Sequence, residues 1–167
     1  MGAVREPDHL EVVDGTSDRF DRFVTEVEPP LRRALVAAYG ADVGREAAAD
    51  ALAWAWENFD RLRAMTNPGG YLYRVGQSST RRGRRDRRRT ELRVVDGAQE
   101  DRLPVEPALA EALARLTPSQ RAAVLLIDGW GVTLQEAADT MGARVSTVRT
   151  HRRRALDKLR IDLGVDP

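Results

Sequence analysis

Apolar side chains between Leu116 and Arg160 recur at helical spacing and predict three consecutive helices. In the middle of this stretch they occupy positions i, i+3, i+4 and i+7, one face of a helix: Leu134, Ala137, Ala138 and Met141. The last part repeats such a stripe with Val148, Ala155, Leu156 and Leu159. Its opposite face carries Arg149, His151, Arg153 and Lys158. The pattern therefore indicates a basic helix that packs on two others.

Residues that begin and end helices divide this stretch. Thr117-Pro118 opens the first helix, since proline suits the first helical position, and two glycines near position 130 end it. Thr133 and Glu136 have the spacing of a capping box, in which each side chain satisfies a backbone donor at the helix start. Gly142 suits the left-handed conformation common at a helix C-terminus. The last helix is expected to run from Val145 to about Leu159.

A short capped helix, a glycine turn and a basic helix are together typical of a helix-turn-helix. One helix braces the other, and the second lies in the DNA major groove, where it can reach base edges. The alternative is a three-helix packing unit with a solvated basic face. The predicted DNA contacts on the basic helix are Ser146, Thr147, Arg149, Thr150, Arg153 and Arg154.

The first part of the chain also shows helical patterns. Phe20, Phe23 and Val27 mark a helix from Ser17 that the Pro29-Pro30 pair should interrupt, because proline lacks an N–H donor and clashes with the preceding turn. A second helix is predicted to end at Gly40, and a longer one to span 42–62. On that helix we expect Trp56 in the core and Trp54 partly exposed, since residues two apart point in different directions.

A loop at 66–70 precedes another predicted helix, which starts near Pro68. Tyr71 and Tyr73 lie in its first turns, and the helix continues into an arginine tract at 81–89. Aromatic rings that stack on bases, followed by arginines that neutralise phosphates, are typical of single-stranded DNA binding. The alternative is a solvated basic helix end, with Tyr73 in the core.

Charge is strongly segregated although the net charge is only +1. Residues 1–60 carry net −7, residues 61–93 net +9, residues 94–143 net −5 and residues 144–167 net +4. Two basic blocks separated by acidic ones indicate two separate phosphate-facing surfaces. Arginine dominates these blocks and suits bidentate contacts with phosphate and guanine.

The sequence contains no recognisable catalytic or metal-binding constellation. Cysteine is absent, the two histidines His9 and His151 are far apart, and there is no glycine-rich phosphate loop or nucleophile elbow. We therefore expect neither an enzyme nor a cofactor. No stretch approaches the roughly 20 apolar residues of a membrane span and no secretory signal is evident, so a cytoplasmic protein without a membrane partner is the simple interpretation.

Both halves resemble the extracytoplasmic-function group of bacterial sigma factors of the sigma-70 family. In the second half the resemblance lies in Leu116-Thr117-Pro118, Leu134-x-Glu136-Ala137-Ala138, Thr147-Val148-Arg149-Thr150 and Arg154-Ala155-Leu156-x-Lys158-Leu159-Arg160. LuxR-type regulators share much of this half. The first half is similar to the family in Phe20-x-x-Phe23, Trp56-x-x-Phe59-Asp60-Arg61-Leu62 and Pro68-x-x-Tyr71-Leu72-Tyr73-Arg74-Val75.

The resemblance implies an all-α fold of two small helical domains joined by a flexible linker. The expected division is a mobile tail at 1–16, a domain at 17–90 for polymerase core and the −10 element, a linker at 91–106, and a helix-turn-helix domain at 107–163 for the −35 element. Implied partners are the β′ clamp helices and β flap of RNA polymerase core, promoter DNA and, as an open possibility, an anti-sigma factor.

Site residues follow from the same resemblance. The implied −10 contacts are Asn67, Tyr71, Arg74, Gln77, Ser78, Arg81, Arg82 and Arg85. The implied polymerase contacts are Glu46, Ala49, Asp50 and Trp54. Family members usually carry Leu and Gln in that helix where this chain has alanine, which leaves open a DNA-binding regulator that engages polymerase weakly. An RNA-binding adaptor that uses the arginine tract is a third hypothesis.

Two further positions on the basic helix differ from the family pattern. Arg144 occupies the position where a serine often caps the helix, so Ser146 is an alternative cap that would shift the helix start. Arg152 lies where the family usually has an apolar residue, and we expect its stem to pack while its charged head reaches solvent.

Overall fold

The computed structural model describes the backbone of residues 9–87 and 106–164, and the side chains of residues 15–81 and 106–164. Within these ranges every regular element is helical, as expected for an all-α fold. The α-helices are α1 (His9–Tyr39), α2 (Ala41–Glu57), α3 (Phe59–Arg63), α4 (Pro68–Arg87), α5 (Pro107–Ala114), α6 (Pro118–Val124), α7 (Leu134–Thr140) and α8 (Val145–Leu163). A π-helical turn, Leu125–Gly129, follows α6 directly. None of the described helices combines the length and the apolar character that crossing a bilayer requires.

Helix α1 is continuous where the sequence predicts a tail and two helices. It begins at His9, within the predicted tail 1–16, and passes through Pro29 and Pro30 without a break. The predicted interruption at the prolines was wrong because tertiary packing outweighs the local cost of proline: the turn that follows the prolines buries Leu31 almost completely. An ion pair from Arg32 to Glu28 spans the same point at 2.8 Å.

The helix predicted over 42–62 is divided at Asn58. There the backbone leaves helical geometry at φ −124° and ψ 26°, and α3 starts one residue later. The Asn58 amide side chain donates to the carbonyl of Trp54 at 2.9 Å, a local bond that competes with continued helix. Trp56 is 54% exposed and packs edge-on against Phe20, so the prediction that it lies in the core was also wrong.

The second half agrees closely with the sequence pattern. Thr133 and Glu136 form the predicted capping box, and Gly142 has the expected positive φ of 58°. Thr117 forms a further capping box with Gln120. Helix α8 starts at Val145 with Arg144 as its cap residue, so Ser146 is not the cap. The helix ends at Leu163, one turn beyond the predicted end, where Gly164 has a left-handed backbone.

One apolar core joins the two halves of the chain. Buried residues of the first half, such as Leu35 and Leu72, belong to the same cluster as Leu126, Met141 and Val148 of the second half. A second cluster packs α5 against the end of α8 through Leu113 and Leu159, among others. The predicted linker lies mostly outside the described residues, and the predicted domain boundaries stay predictions.

Candidate nucleic-acid interface

Helix α8 presents a row of polar and basic side chains to solvent. Ser146, Thr147, Arg149, Arg153 and Arg154 are exposed, and Thr150 is half-buried. Arg149 and Arg153 lie four residues apart and therefore project from the same side of the helix. Within the described part of the chain neither has a hydrogen bond or salt bridge to another side chain, so both guanidinium groups can form bidentate contacts with a nucleic acid.

The buried side of α8 fixes the direction of that row. Val148 and Ala155 are fully buried, Val148 in the core that joins the two halves and Ala155 against α5 and α6. The capping box at the start of α7 fixes the preceding helix: the Glu136 carboxylate accepts from the Thr133 amide at 2.9 Å and from its hydroxyl at 2.6 Å. These bonds lower the pKa of Glu136. The two helices thus have the arrangement that a helix-turn-helix requires.

Arg152 does not simply extend into solvent, as the sequence suggests. Its guanidinium forms two hydrogen bonds to the carboxylate of Asp128, one from Nε at 2.8 Å and one from an Nη at 2.5 Å. Hydrogen bonding to Asp128 raises the pKa of Arg152. Because Asp128 lies on the π-helical turn, this pair ties α8 to the segment that follows α6. Nothing in the sequence pattern signalled it.

His151 lies beside this row but differs from its neighbours. It is half-buried, and burial together with the nearby positive charge of Arg154 lowers the pKa of its imidazole. Above that lowered pKa the ring is neutral, so His151 adds no positive charge to the row.

The predicted −10 residues divide into exposed and engaged groups along α4. Arg74, Ser78 and Arg81 are exposed and Gln77 is half-buried, whereas the side chains of Arg82 and Arg85 lie outside the described residues. Asn67 precedes the helix, and its amide oxygen accepts from the Gly70 N–H at 2.8 Å. Tyr71 is half-buried because its ring packs on Trp54, with ring centroids 5.1 Å apart.

The predicted polymerase contacts share one surface of α2. Glu46, Ala49 and Asp50 are exposed, whereas Trp54 is half-buried against Tyr71. The Asp50 carboxylate accepts a hydrogen bond from the Ser79 hydroxyl of α4. Glu46, Asp50 and Trp54 line a cavity of about 820 Å³ that Leu116 and Arg121 of the second half also line. Tyr71 and Ser78 line it too, so residues of the predicted −10 and polymerase sets share this cavity.

The start of α4 also touches the turn of the helix-turn-helix. The Asn67 amide nitrogen donates to the backbone carbonyl of Asp139 at 2.8 Å, and the Arg74 guanidinium donates to the carbonyl of Gly142. We call these two bonds, with the close approach of Gly70 to Gly142, the interdomain contact. Its partners are about 70 residues apart in sequence, and no spacing rule predicts such a pairing.

Comparison with known protein families finds a match in the second half. Residues 107–159, which include α5 to α7 and most of α8, match the family described as sigma-70, region 4. Over 148 residues the chain is also 28% identical to the ECF RNA polymerase sigma factor EcfG of Rhodopseudomonas palustris (strain TIE-1). That alignment covers 83% of this chain and 81% of the relative.

Solved structures with a similar fold extend the comparison to both halves. The sigma factor RpoE of Bartonella quintana, solved with the anti-sigma factor NepR, matches with a TM-score of 0.61 and 24% identity, over 90% of this chain and 99% of that one. CnrH, solved with the cytosolic domain of CnrY, matches with a TM-score of 0.53 and 20% identity, over 94% and 95% of the two chains.

Proposed function

We propose that this chain, which belongs to the extracytoplasmic-function group of the sigma-70 family, directs RNA polymerase core to a set of promoters and so initiates transcription from them. The exposed row on α8 carries the proposal. It lies within the residues that match sigma-70 region 4, and its exposed arginines face away from the core. In this role the −35 element is contacted by Arg149, Thr150, Arg153 and Arg154. The end of the helix that enters the groove carries Ser146 and Thr147.

The first half would bind polymerase and the −10 element. The proposed polymerase surface lies on α2 and consists of Glu46, Ala49, Asp50 and Trp54. The proposed −10 residues begin with Asn67 and continue along α4. The Tyr71 ring can offer one face to an unstacked base, since Trp54 covers the other side.

The structural neighbours support a regulatory partner as well. The two structural neighbours were solved with an anti-sigma factor and with the cytosolic domain of CnrY. We propose that this chain likewise binds an anti-sigma factor in addition to polymerase core and promoter DNA.

Replacement of one arginine tests the assignment of α8. If Arg149 makes a bidentate base contact, Arg149→Ala should weaken promoter binding by about 1–3 kcal/mol and relax the preference at one base pair. Arg160→Ala is the matched control, because Arg160 lies near the far end of the same helix and pairs with Asp157. Equal affinity and equal base preference in Arg149→Ala and the parent protein would reject the assignment.

A DNA-binding regulator with little affinity for polymerase is the second candidate. Ala47 is buried and Ala49 is exposed, so the two alanines that replace the usual Leu and Gln offer no long side chain to a partner. A pull-down with purified polymerase core separates the two functions. Retention of the chain supports the sigma factor, and its absence together with duplex binding supports the regulator.

A further inference from the structure

Helices α2 and α4 come close enough for two short side chains to meet between them. A Cβ atom placed on Gly76 of α4 would lie 3.1 Å from the carbonyl oxygen of Ala47 in α2, so the two helices approach closely at this point. Almost one turn further along both helices, the Ser79 hydroxyl donates a hydrogen bond to the Asp50 carboxylate. The absence of a side chain at Gly76 thus brings a serine within reach of a residue of the proposed polymerase surface.

The direction of this bond is informative, because the Ser79 hydroxyl also has an acceptor in its own helix. A hydroxyl inside a helix often donates to the carbonyl four residues earlier, as the exposed Thr25 of α1 does to Asp21 at 2.8 Å. Ser79 donates to α2 instead. Among the described residues the exposed Asp50 carboxylate has no other hydrogen bond or ion pair, so its second oxygen is free to accept from a partner.

The composition of the α2 surface gives this carboxylate weight in recognition. Glu46 and Asp50 are its charged residues, and they lie four positions apart on one side of the helix. Ala49 contributes only a methyl group. The surface therefore offers two carboxylates to basic groups of a partner. A carboxylate that is already fixed in one orientation loses less conformational entropy when such a group binds it.

We propose that Ser79 is a positioning residue for polymerase binding: its hydroxyl holds the Asp50 carboxylate in the orientation that accepts a basic group of polymerase core. The inference rests on the proposed function, which places Asp50 on the polymerase surface. Ser79 acts through Asp50 and does not itself contact polymerase. Loss of the hydroxyl should weaken core binding about two- to tenfold, which corresponds to the cost of immobilising one side chain.

Two variants of the same shape test this role. Ser79→Thr keeps the hydroxyl, whereas Ser79→Val replaces it by a methyl group, and both are β-branched. Fluorescence anisotropy of the chain, labelled at its N-terminus, measures binding to purified bacterial RNA polymerase core without DNA. Ser79→Val should bind about two- to tenfold more weakly than Ser79→Thr. Thr25→Ala is the control and should bind as the parent does, because it removes an exposed hydroxyl that is bonded only within α1.

Removal of the carboxylate separates positioning from a structural role. In the Asp50→Ala background Ser79→Val and Ser79→Thr should bind core equally, because the hydroxyl no longer has a carboxylate to hold. A hydroxyl that only stabilised the packing of α2 on α4 would give the same difference in both backgrounds. Circular dichroism verifies that the variants are folded. If Ser79→Val is unfolded, Ser79→Ala takes its place, since alanine is the best helix former.

Three results would overturn the proposal: equal core binding by Ser79→Thr and Ser79→Val, an equal difference between them with and without Asp50, or a comparable loss in Thr25→Ala. The same assay distinguishes this failure from failure of the proposed function. If the parent chain binds core and the two Ser79 variants bind it equally, the positioning role alone is rejected. If the parent chain does not bind core, the proposed function is rejected and the positioning role with it.

Discussion

The ion pair between Asp128 and Arg152 provides a quantitative test of how α8 is positioned. Replacing each residue by alanine, singly and together, isolates the interaction from the loss of the individual side chains. The pair has two hydrogen bonds, at 2.8 and 2.5 Å, and its side chains are 35% and 36% exposed. Exposed pairs contribute about 0.2–1 kcal/mol, and bidentate geometry favours the upper end, so we expect a coupling free energy of about 1 kcal/mol.

Urea unfolding of the four proteins measures this coupling. Because solvent-accessible charges are screened by salt, the coupling should be larger at low ionic strength than in high salt. Additive effects of the two replacements at low salt, within about 0.3 kcal/mol, would refute the conclusion that the pair ties α8 to the π-helical turn.

Duplex binding gives an independent measurement on the same variants. Arg152 is neutralised by Asp128, so Arg152→Ala should leave the salt dependence of DNA binding nearly unchanged. In contrast, Arg153→Ala should reduce the slope by about one if Arg153 contacts a phosphate. Asp128→Ala releases the Arg152 charge and should make the slope steeper. Equal losses of slope in Arg152→Ala and Arg153→Ala would show that Arg152 contacts DNA instead.

Other replacements test packing and capping by chemical or thermal unfolding. Gly44→Ala brings a methyl group to 2.4 Å from the Val36 backbone and should destabilise the fold by about 1–3 kcal/mol. Gly15→Ala is the control, because its methyl group meets nothing within 4 Å. Equal stabilities of the two variants would contradict the α1–α2 packing. Thr133→Ala should cost about 1 kcal/mol through loss of the cap. Because folding lowers the pKa of Glu136, its charged form stabilises the fold above the unfolded pKa, and the advantage over Glu136→Gln should disappear as pH falls through the folded value.

Local signals in the sequence predict the second half well. The capping box at Thr133, the left-handed glycine at 142 and the apolar stripe that includes Val148 each depend on residues within one helix or turn. Such signals are short-range, and the observed α7 and α8 follow them closely. The exposed face of α8 follows in turn, because a buried stripe determines which residues lie opposite.

The errors and omissions have tertiary causes. Burial of Leu31 and its neighbours holds α1 together across Pro29-Pro30, and no local rule contains that contribution. The pairing of Asp128 with Arg152 and the bond from Asn67 to Asp139 join residues 24 and 72 positions apart. Spacing along one chain predicts the members of a helix face, but it cannot predict which distant backbone group that face will meet.

Run-off transcription with purified polymerase core, this protein and a library of genomic promoter fragments tests directly whether the chain is a sigma factor. We expect discrete start sites that depend on the protein and that share one sequence near −10 and another near −35. Arg149→Ala should selectively weaken the −35 preference. Binding of the protein to duplex DNA without any protein-dependent transcript would contradict the proposed function and favour the regulator.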